Sequence, residues 1–145
     1  MRPIVVSVEV ARSAEDAYAY ATDPSRFGEW QHGVVSGRTE PAAPGEPPRC
    51  VTVRRIGFAE RASTSRVVHS DSPRAWSVRG IDGPIRAAVD VNVTPVADAR
   101  CQVTISVDFE GHGIGKLLIP LVVRPQAGKE MPTNIAALKQ RLESV

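Results

Sequence analysis

Two neighbouring stretches decide the fold: Ile85-Arg-Ala-Ala-Val-Asp-Val-Asn-Val-Thr94 and Cys101-Gln-Val-Thr-Ile-Ser-Val-Asp-Phe-Glu110. In the first, Ile85, Ala87, Val89, Val91 and Val93 alternate with Arg86, Ala88, Asp90, Asn92 and Thr94. In the second, Cys101, Val103, Ile105, Val107 and Phe109 alternate with Gln102, Thr104, Ser106, Asp108 and Glu110. Successive side chains of a strand point to opposite faces, so each stretch has one dry face and one wet face. That is the mark of an antiparallel sheet covered on one side only. The segment from Pro95 to Arg100 joins the two as a hairpin loop.

Moving outward, Ile4, Val6, Val8 and Val10 show the same period of two. Ser13-Ala-Glu-Asp16 follows as an imperfect capping box, with Asp where Glu or Gln is preferred. Ala14 to Ala21 favours a short helix that ends before Asp23-Pro24, and Pro24 opens a second helical turn with Asp23 as its cap. Phe27 and Trp30, three apart, share a face of that turn. Val34-Val35 precedes a loop from Glu40 to Pro48 that holds four prolines and a glycine. Arg49 to Ile56, Arg61 to His69 and Ala75 to Arg79 read as further strands, separated by turns at Gly57-Phe58, Asp71-Ser72-Pro73 and Gly80 to Pro84. After Gly111-His-Gly113 the period changes. Ile114, Leu118, Leu121, Met131, Ile135, Leu138 and Leu142 fit steps of three and four, with Pro125 and Gly128 on the same stripe. The spacing predicts one long C-terminal helix, kinked near Pro120, Pro125 and Pro132. A dry sheet face and an apolar helix stripe call for each other. The expected fold is α+β: a curved antiparallel sheet of about seven strands wrapped around a long C-terminal helix, with two short helices after the first strand.

The 145 residues suit one domain, 1–145. Eighteen basic against sixteen acidic residues leave a formal charge of +2, which is no nucleic-acid footprint. No run approaches the roughly 20 apolar residues of a membrane span, and the chain opens on a strand, without a signal-peptide layout. The expected location is the cytoplasm. Cys50 and Cys101 give neither a disulfide framework nor metal spacing. His32, His69 and His112 are scattered, so neither a metal nor a cofactor is expected. No Ser-His-Asp set or nucleophile elbow is present, and Gly111-His-Gly-Ile-Gly115 lacks the layout of a phosphate-binding loop.

These residues support a family resemblance. The element order resembles the START/Bet v 1-like superfamily (SRPBCC), the polyketide cyclase/dehydrase and lipid-transport group with the helix-grip fold. Ala21-Thr-Asp-Pro-Ser-Arg-Phe-Gly-Glu-Trp30 is similar to that family's helix-end motif, an Asp-Pro followed by a Trp. Ile4 to Ala11 with Ser13 to Tyr20 resembles its first strand and helix. Asp71-Ser-Pro-Arg74 resembles one of its turns, and Lys129 to Glu143 its C-terminus. The resemblance covers essentially the whole chain, through motifs that are structural rather than catalytic. It implies a hydrophobic or aromatic small molecule, lipid or polyketide-like, in a cavity between sheet and helix. It also implies that Cys50 and Cys101 lie on different strands and are unbridged.

The expected ligand-binding residues are Trp30, Phe58, Trp76, Val89, Val91, Phe109, Leu118, Leu121, Gly128 and Met131. Aromatics are only 5% of the chain, so its few rings are the first places to seek a wall. The competing reading for the tryptophans is plain core packing. For Gly128 it is close packing or relief of a proline kink. Arg54, Arg66 and Arg79 lie on candidate strands; they either offer a cation to a ligand or decorate an exposed face. Asp90 and Asp108 fall on wet faces. The alternative to a binding protein is a cyclase/dehydratase-type enzyme, which requires a His, Arg or Asp beside an apolar wall. A third reading, an interaction module, requires a large exposed apolar patch on the outer face. Ligand identity, turnover and oligomeric state, a homodimer included, are open at this level.

Overall fold

The computed structural model describes residues 2–56 and 58–144. The chain runs β1 (Ile4–Val10), α1 (Ala14–Ala21), a 3-10 helix (Pro24–Glu29), β2 (Val34–Glu40), β3 (Arg49–Ile56) and β4 (Ala59–Asp71). It continues through β5 (Ala75–Gly80), β6 (Ile85–Ala97), β7 (Arg100–Gly111), α2 (Gly115–Leu118), a π-helical turn (Ile119–Val123) and α3 (Arg124–Glu143). Seven strands form one antiparallel sheet in the order β1-β7-β6-β5-β4-β3-β2. The 29-residue helical segment from Gly115 to Glu143 completes the helix-grip fold.

Caps start the short helices as the sequence leads one to expect. The Ser13 hydroxyl accepts from the Asp16 N–H at 3.1 Å, and Asp23 Oδ1 accepts from the Ser25 N–H at 3.0 Å. Register then sorts the faces. Val91 pairs with Ile105 and Trp76, Val89 with Val107 and Val78, and Val103 with Val8 and Val93. Directly opposed residues share a face, so the apolar sets of β1, β5, β6 and β7 merge into one concave surface. Leu138, Ile135, Leu142 and Met131 of α3 pack onto it together with Val10, Cys101 and Val103. Both acids of the alternating strands find partners: Asp90 pairs with Arg79 of β5 at 3.2 Å, and Asp108 with Arg124 at the start of α3 at 3.3 Å. Polar ties fix α3 along the edge strand β1. Lys139 Nζ donates to the Glu9 carbonyl, the Ala11 N–H donates to Glu143, and Arg12 donates to the Leu142 carbonyl.

The helix is continuous, but its apolar phase is not. Pro125 has no N–H to give to the carbonyl four residues back. The Arg124 N–H instead reaches the Ile119 carbonyl, five residues back, and the π turn absorbs the fault. That extra residue per turn rotates everything before it. Ile119 becomes the buried position, while Ile114, Leu117, Leu121 and Val122 stand on the outside. The expected stripe is therefore correct from Met131 onward and wrong before it. Pro132 lies inside α3 without ending it.

Candidate functional site

The concave surface has two halves of different chemistry. On β5, β6 and β7 it is aliphatic. Val91, Val93, Val103 and Ile105 are buried under the helices, whereas Ile85, Ala87, Val89, Val107 and Phe109, further along the same face, are only half-buried. On β3 and β4 it turns polar. Cys50 pairs with Ser65, Thr52 with Ser63, and Arg54 with Arg61. Cys50 is buried, and two-residue steps carry its face to Thr52 and Arg54. Thr52 and Ser63 exchange a hydroxyl hydrogen bond of 3.2 Å. Arg54 and Arg61 place two positive charges opposite one another, an arrangement that is unfavourable unless something negative or polar offsets it.

Arg54 is the unusual member. Its Nη2 donates to Gln31 Oε1 at 3.0 Å, and burial holds its guanidinium below the usual arginine range. Glu130 of α3 supplies the opposing field. The segment after the 3-10 helix closes over this region: the His32 N–H donates to Asn134 Oδ1 at 3.0 Å, and His32 Nε2 lies 3.9 Å from Glu130 Oε1. Cys50, further along β3, is a neutral thiol pushed up to about 11 by burial.

Three rings cluster where the 3-10 helix meets β5. Phe27 meets Trp30 edge-on at 6.0 Å and Trp76 at 6.2 Å. Trp30 is only 7% exposed, yet its Nε1–H has no acceptor among the described residues. A buried donor left unpaired is unfavourable by about 1–3 kcal/mol. Most buried indoles find a partner. The protein thus carries a buried indole N–H without an acceptor among the described residues, and β3 and β4 add a half-buried guanidinium and two hydroxyls on the inward face. That combination suits an apolar molecule carrying oxygen atoms.

The expected site residues divide by placement. Trp30, Trp76, Val91 and Met131 are buried, and Val89 and Phe109 are half-buried on the concave face. Leu118 is half-buried, next to the π turn. Three lie elsewhere. Phe58 is fully exposed, and the turn it was expected to share with Gly57 lies partly outside the described residues. Leu121 is 67% exposed because the π turn rotates it outward. Gly128 is exposed, and a Cβ built on it meets nothing within 4 Å, so close packing is not what a glycine serves there. Arg66 is exposed and Arg79 pairs with Asp90, leaving Arg54 as the inward one of the three arginines. Thr52, Ser63, Gln31 and Glu130 were not singled out by the sequence. The usable signal was the period-two step from Cys50 to Arg54, but Val51 and Val53 alternate on the opposite face and mask it.

Among the described residues no three His, Cys, Asp or Glu side chains gather as a metal set, and no helix is long and apolar enough to cross a membrane. The exposed apolar side chains of α2 and the π turn lie on the helix, not on the outer sheet face that an interaction module would use.

Comparison with solved structures yields relatives of the same shape. A START superfamily protein from Mycobacterium smegmatis aligns over 98% of this chain and 97% of its own, with 16% identity and a TM-score of 0.77. An aromatase/cyclase from a Streptomyces species aligns over 97% and 93%, with 12% identity and a TM-score of 0.79. A conserved protein from Geobacillus kaustophilus aligns over 95% and 93%, with 18% identity and a TM-score of 0.69. Identities this low speak for the fold alone. No curated protein matches the sequence. The model of one sequence family does match, over residues 1–143, and the chain belongs to that family, polyketide cyclase / dehydrase and lipid transport.

Proposed function

We propose that this protein binds an apolar, oxygen-bearing small molecule, polyketide-like rather than pure hydrocarbon, on the concave face of the sheet beneath α3. The single observation that carries the reading is the Trp30 Nε1–H, buried and without an acceptor among the described residues, in a protein whose inward face also carries the half-buried Arg54. Val89, Val91, Phe109 and Met131 supply the apolar wall. Trp30, Thr52, Ser63 and Arg54 supply donors to ligand oxygens. The membership in a polyketide cyclase / dehydrase and lipid-transport family and the aromatase/cyclase fold relative support the same class of molecule.

Calorimetric titration tests it. A hydroxylated tricyclic quinone is expected to bind, and anthracene, of similar size and without oxygens, at least tenfold more weakly. Trp30→Phe removes the donor and keeps a ring, so it should narrow that gap. Equal affinity for both molecules refutes the reading.

One observation favours a second reading, a cyclase-type enzyme. The Glu130 carboxylate of α3 is close enough to act on Arg54, so a cation for an enolate and a proton acceptor share one region. Conversion of a reactive poly-β-keto substrate to a cyclised product, abolished in Glu130→Gln, would establish turnover. Binding without conversion leaves the protein a carrier.

A further inference from the structure

The π turn leaves an apolar ridge that the fold does not use. From Ile114 to Val122 the chain is almost wholly apolar, with Lys116 as its one charge. Gly115 and Ile119, four apart, are its buried residues. Ile114, Leu117, Leu121 and Val122 are between 57% and 67% exposed, and Pro120 is exposed among them. Ile114, Leu117 and Leu121 follow steps of three and four, so they stand on one side of the helix. The segment is firmly seated. The His112 N–H donates to the Pro84 carbonyl at 2.8 Å, and a Cβ on Gly115 would collide with that same carbonyl. The other large apolar side chains exposed among the described residues are Val5, Val35, Phe58, Val68 and Val96, one to a strand or turn. Single exposures are ordinary, whereas four within nine residues mark a binding surface.

The charges near the ridge favour one occupant. The chain segments that meet here carry four basic side chains, Arg2, Arg86, Lys116 and Arg124. They stand against three acids, each already engaged. Asp108 is met by Arg124 at 3.3 Å, Glu110 by His112 at 2.8 Å, and Asp82 by the Thr64 N–H at 2.9 Å. Lys116, Arg86 and Arg2 join no ion pair among the described residues. Exposed apolar side chains in a basic setting seat a helix at the surface of an anionic bilayer: the apolar side enters the acyl boundary and the cations stay at the phosphates. A second copy of the chain fits worse. A twofold contact would bring two basic settings together, and a specific protein interface takes roughly 20–30 residues a side, far more than this ridge offers. We infer that the ridge from Ile114 to Val122 docks on an anionic phospholipid bilayer, with Leu117 and Leu121 in the acyl boundary and Lys116 at the phosphates. Docking here is independent of what the concave face binds, so a protein that ignores quinones can still bind vesicles.

Flotation with vesicles tests it. The wild-type protein should bind vesicles of equal parts phosphatidylcholine and phosphatidylglycerol at least tenfold more tightly than vesicles of phosphatidylcholine alone, and the gap should close as salt rises. Replacing both exposed leucines, Leu117→Gln with Leu121→Gln, should lower binding to the anionic vesicles at least tenfold and leave the urea midpoint nearly unchanged. Lys116→Glu should lower it severalfold on the anionic vesicles only, and Val5→Ser, at an exposed position of β1, should change nothing. In Leu117→Trp the new indole should shift its emission to the blue on the anionic vesicles and be quenched by brominated acyl chains. Equal binding of both vesicle types, no binding to either, or anionic binding that survives the loss of both leucines would overturn the inference. So would a dimer in sedimentation velocity that the double variant dissolves, since the ridge would then belong to a second copy.

Discussion

Replacing Arg54 with methionine separates a residue kept for the fold from one kept for a ligand. Methionine keeps the unbranched apolar stem of the side chain and deletes the guanidinium with its charge. The change loses the hydrogen bond to Gln31 Oε1, which bridges 3.0 Å. A bond from a charged donor contributes about 1.5–3 kcal/mol. Against that stands relief of a desolvated guanidinium. Effective burial penalties run to several kcal/mol per ion, and replacing buried charges by apolar groups is often neutral or stabilising by about 1–4 kcal/mol. Relief of the like-charge opposition with Arg61 adds roughly 0.2–1 kcal/mol. Gln31 is only half-buried, so water can satisfy its amide once the arginine is gone. The balance predicts an Arg54→Met protein within about 1 kcal/mol of wild type, or above it. In urea, with a slope of about 2 kcal/mol/M, that is a midpoint shift of no more than about 0.5 M downward. Affinity for the oxygenated ligand should fall at least tenfold in the same protein, about 1.4 kcal/mol. A loss of about 3 kcal/mol or more would refute the reasoning, since that is the signature of breaking a structural buried pair.

Other expectations follow from particular contacts. Leu138 is fully buried at the centre of the helix–sheet contact, so Leu138→Ala should lose about 3–5 kcal/mol in urea unfolding. A Cβ at Gly37 would collide with the Pro24 carbonyl, while one at Gly128 meets open space. Gly37→Ala should therefore destabilise by about 1–3 kcal/mol through overpacking, and Gly128→Ala, in a helix interior, should stabilise by about 0.5–1 kcal/mol; thermal melts read both. The Glu143 carboxyl is held below its ordinary 4.5, first by the hydrogen bond from Lys139 and then by the Ala11 N–H. A depressed carboxylate pKa means stability present above about pH 4.5 and lost as pH falls through the folded value. The urea midpoint of Glu143→Gln should thus lie below wild type at neutral pH, and the two curves should converge under acid.

Much of this architecture was legible in residue order because local signals agreed with global ones. The alternation in β6 and β7, the Ser13 and Asp23 caps and the apolar stripe of α3 after Met131 each had one physical reading. Three things were not legible. The π turn was hidden because Pro120 and Pro125 announce a fault in the helix without saying how the chain absorbs it; one extra residue in one turn moved Leu121 outward and Ile119 inward. The faces of β3 were hidden because Val51 and Val53 make the outer side as apolar as the inner. The mixed polarity of the concave surface then followed from register, which pairs Arg54 with Arg61 and Thr52 with Ser63 across strands whose sequences show no alternation. Gly128 misled for a simpler reason: its step from Met131 places it beside the stripe, but nothing packs against it there.

Whether the concave face beneath α3 takes an oxygen-bearing apolar molecule is decided by a crystal structure of the complex with a hydroxylated tricyclic quinone. Density is expected on the concave face, with the rings against Val89, Val91 and Phe109. A ligand oxygen should lie about 2.7–3.2 Å from Trp30 Nε1, and a second within reach of the Arg54 guanidinium. Density on the outer surface alone, or a ligand on the concave face with only hydrocarbon turned toward Trp30 and Arg54, would contradict it.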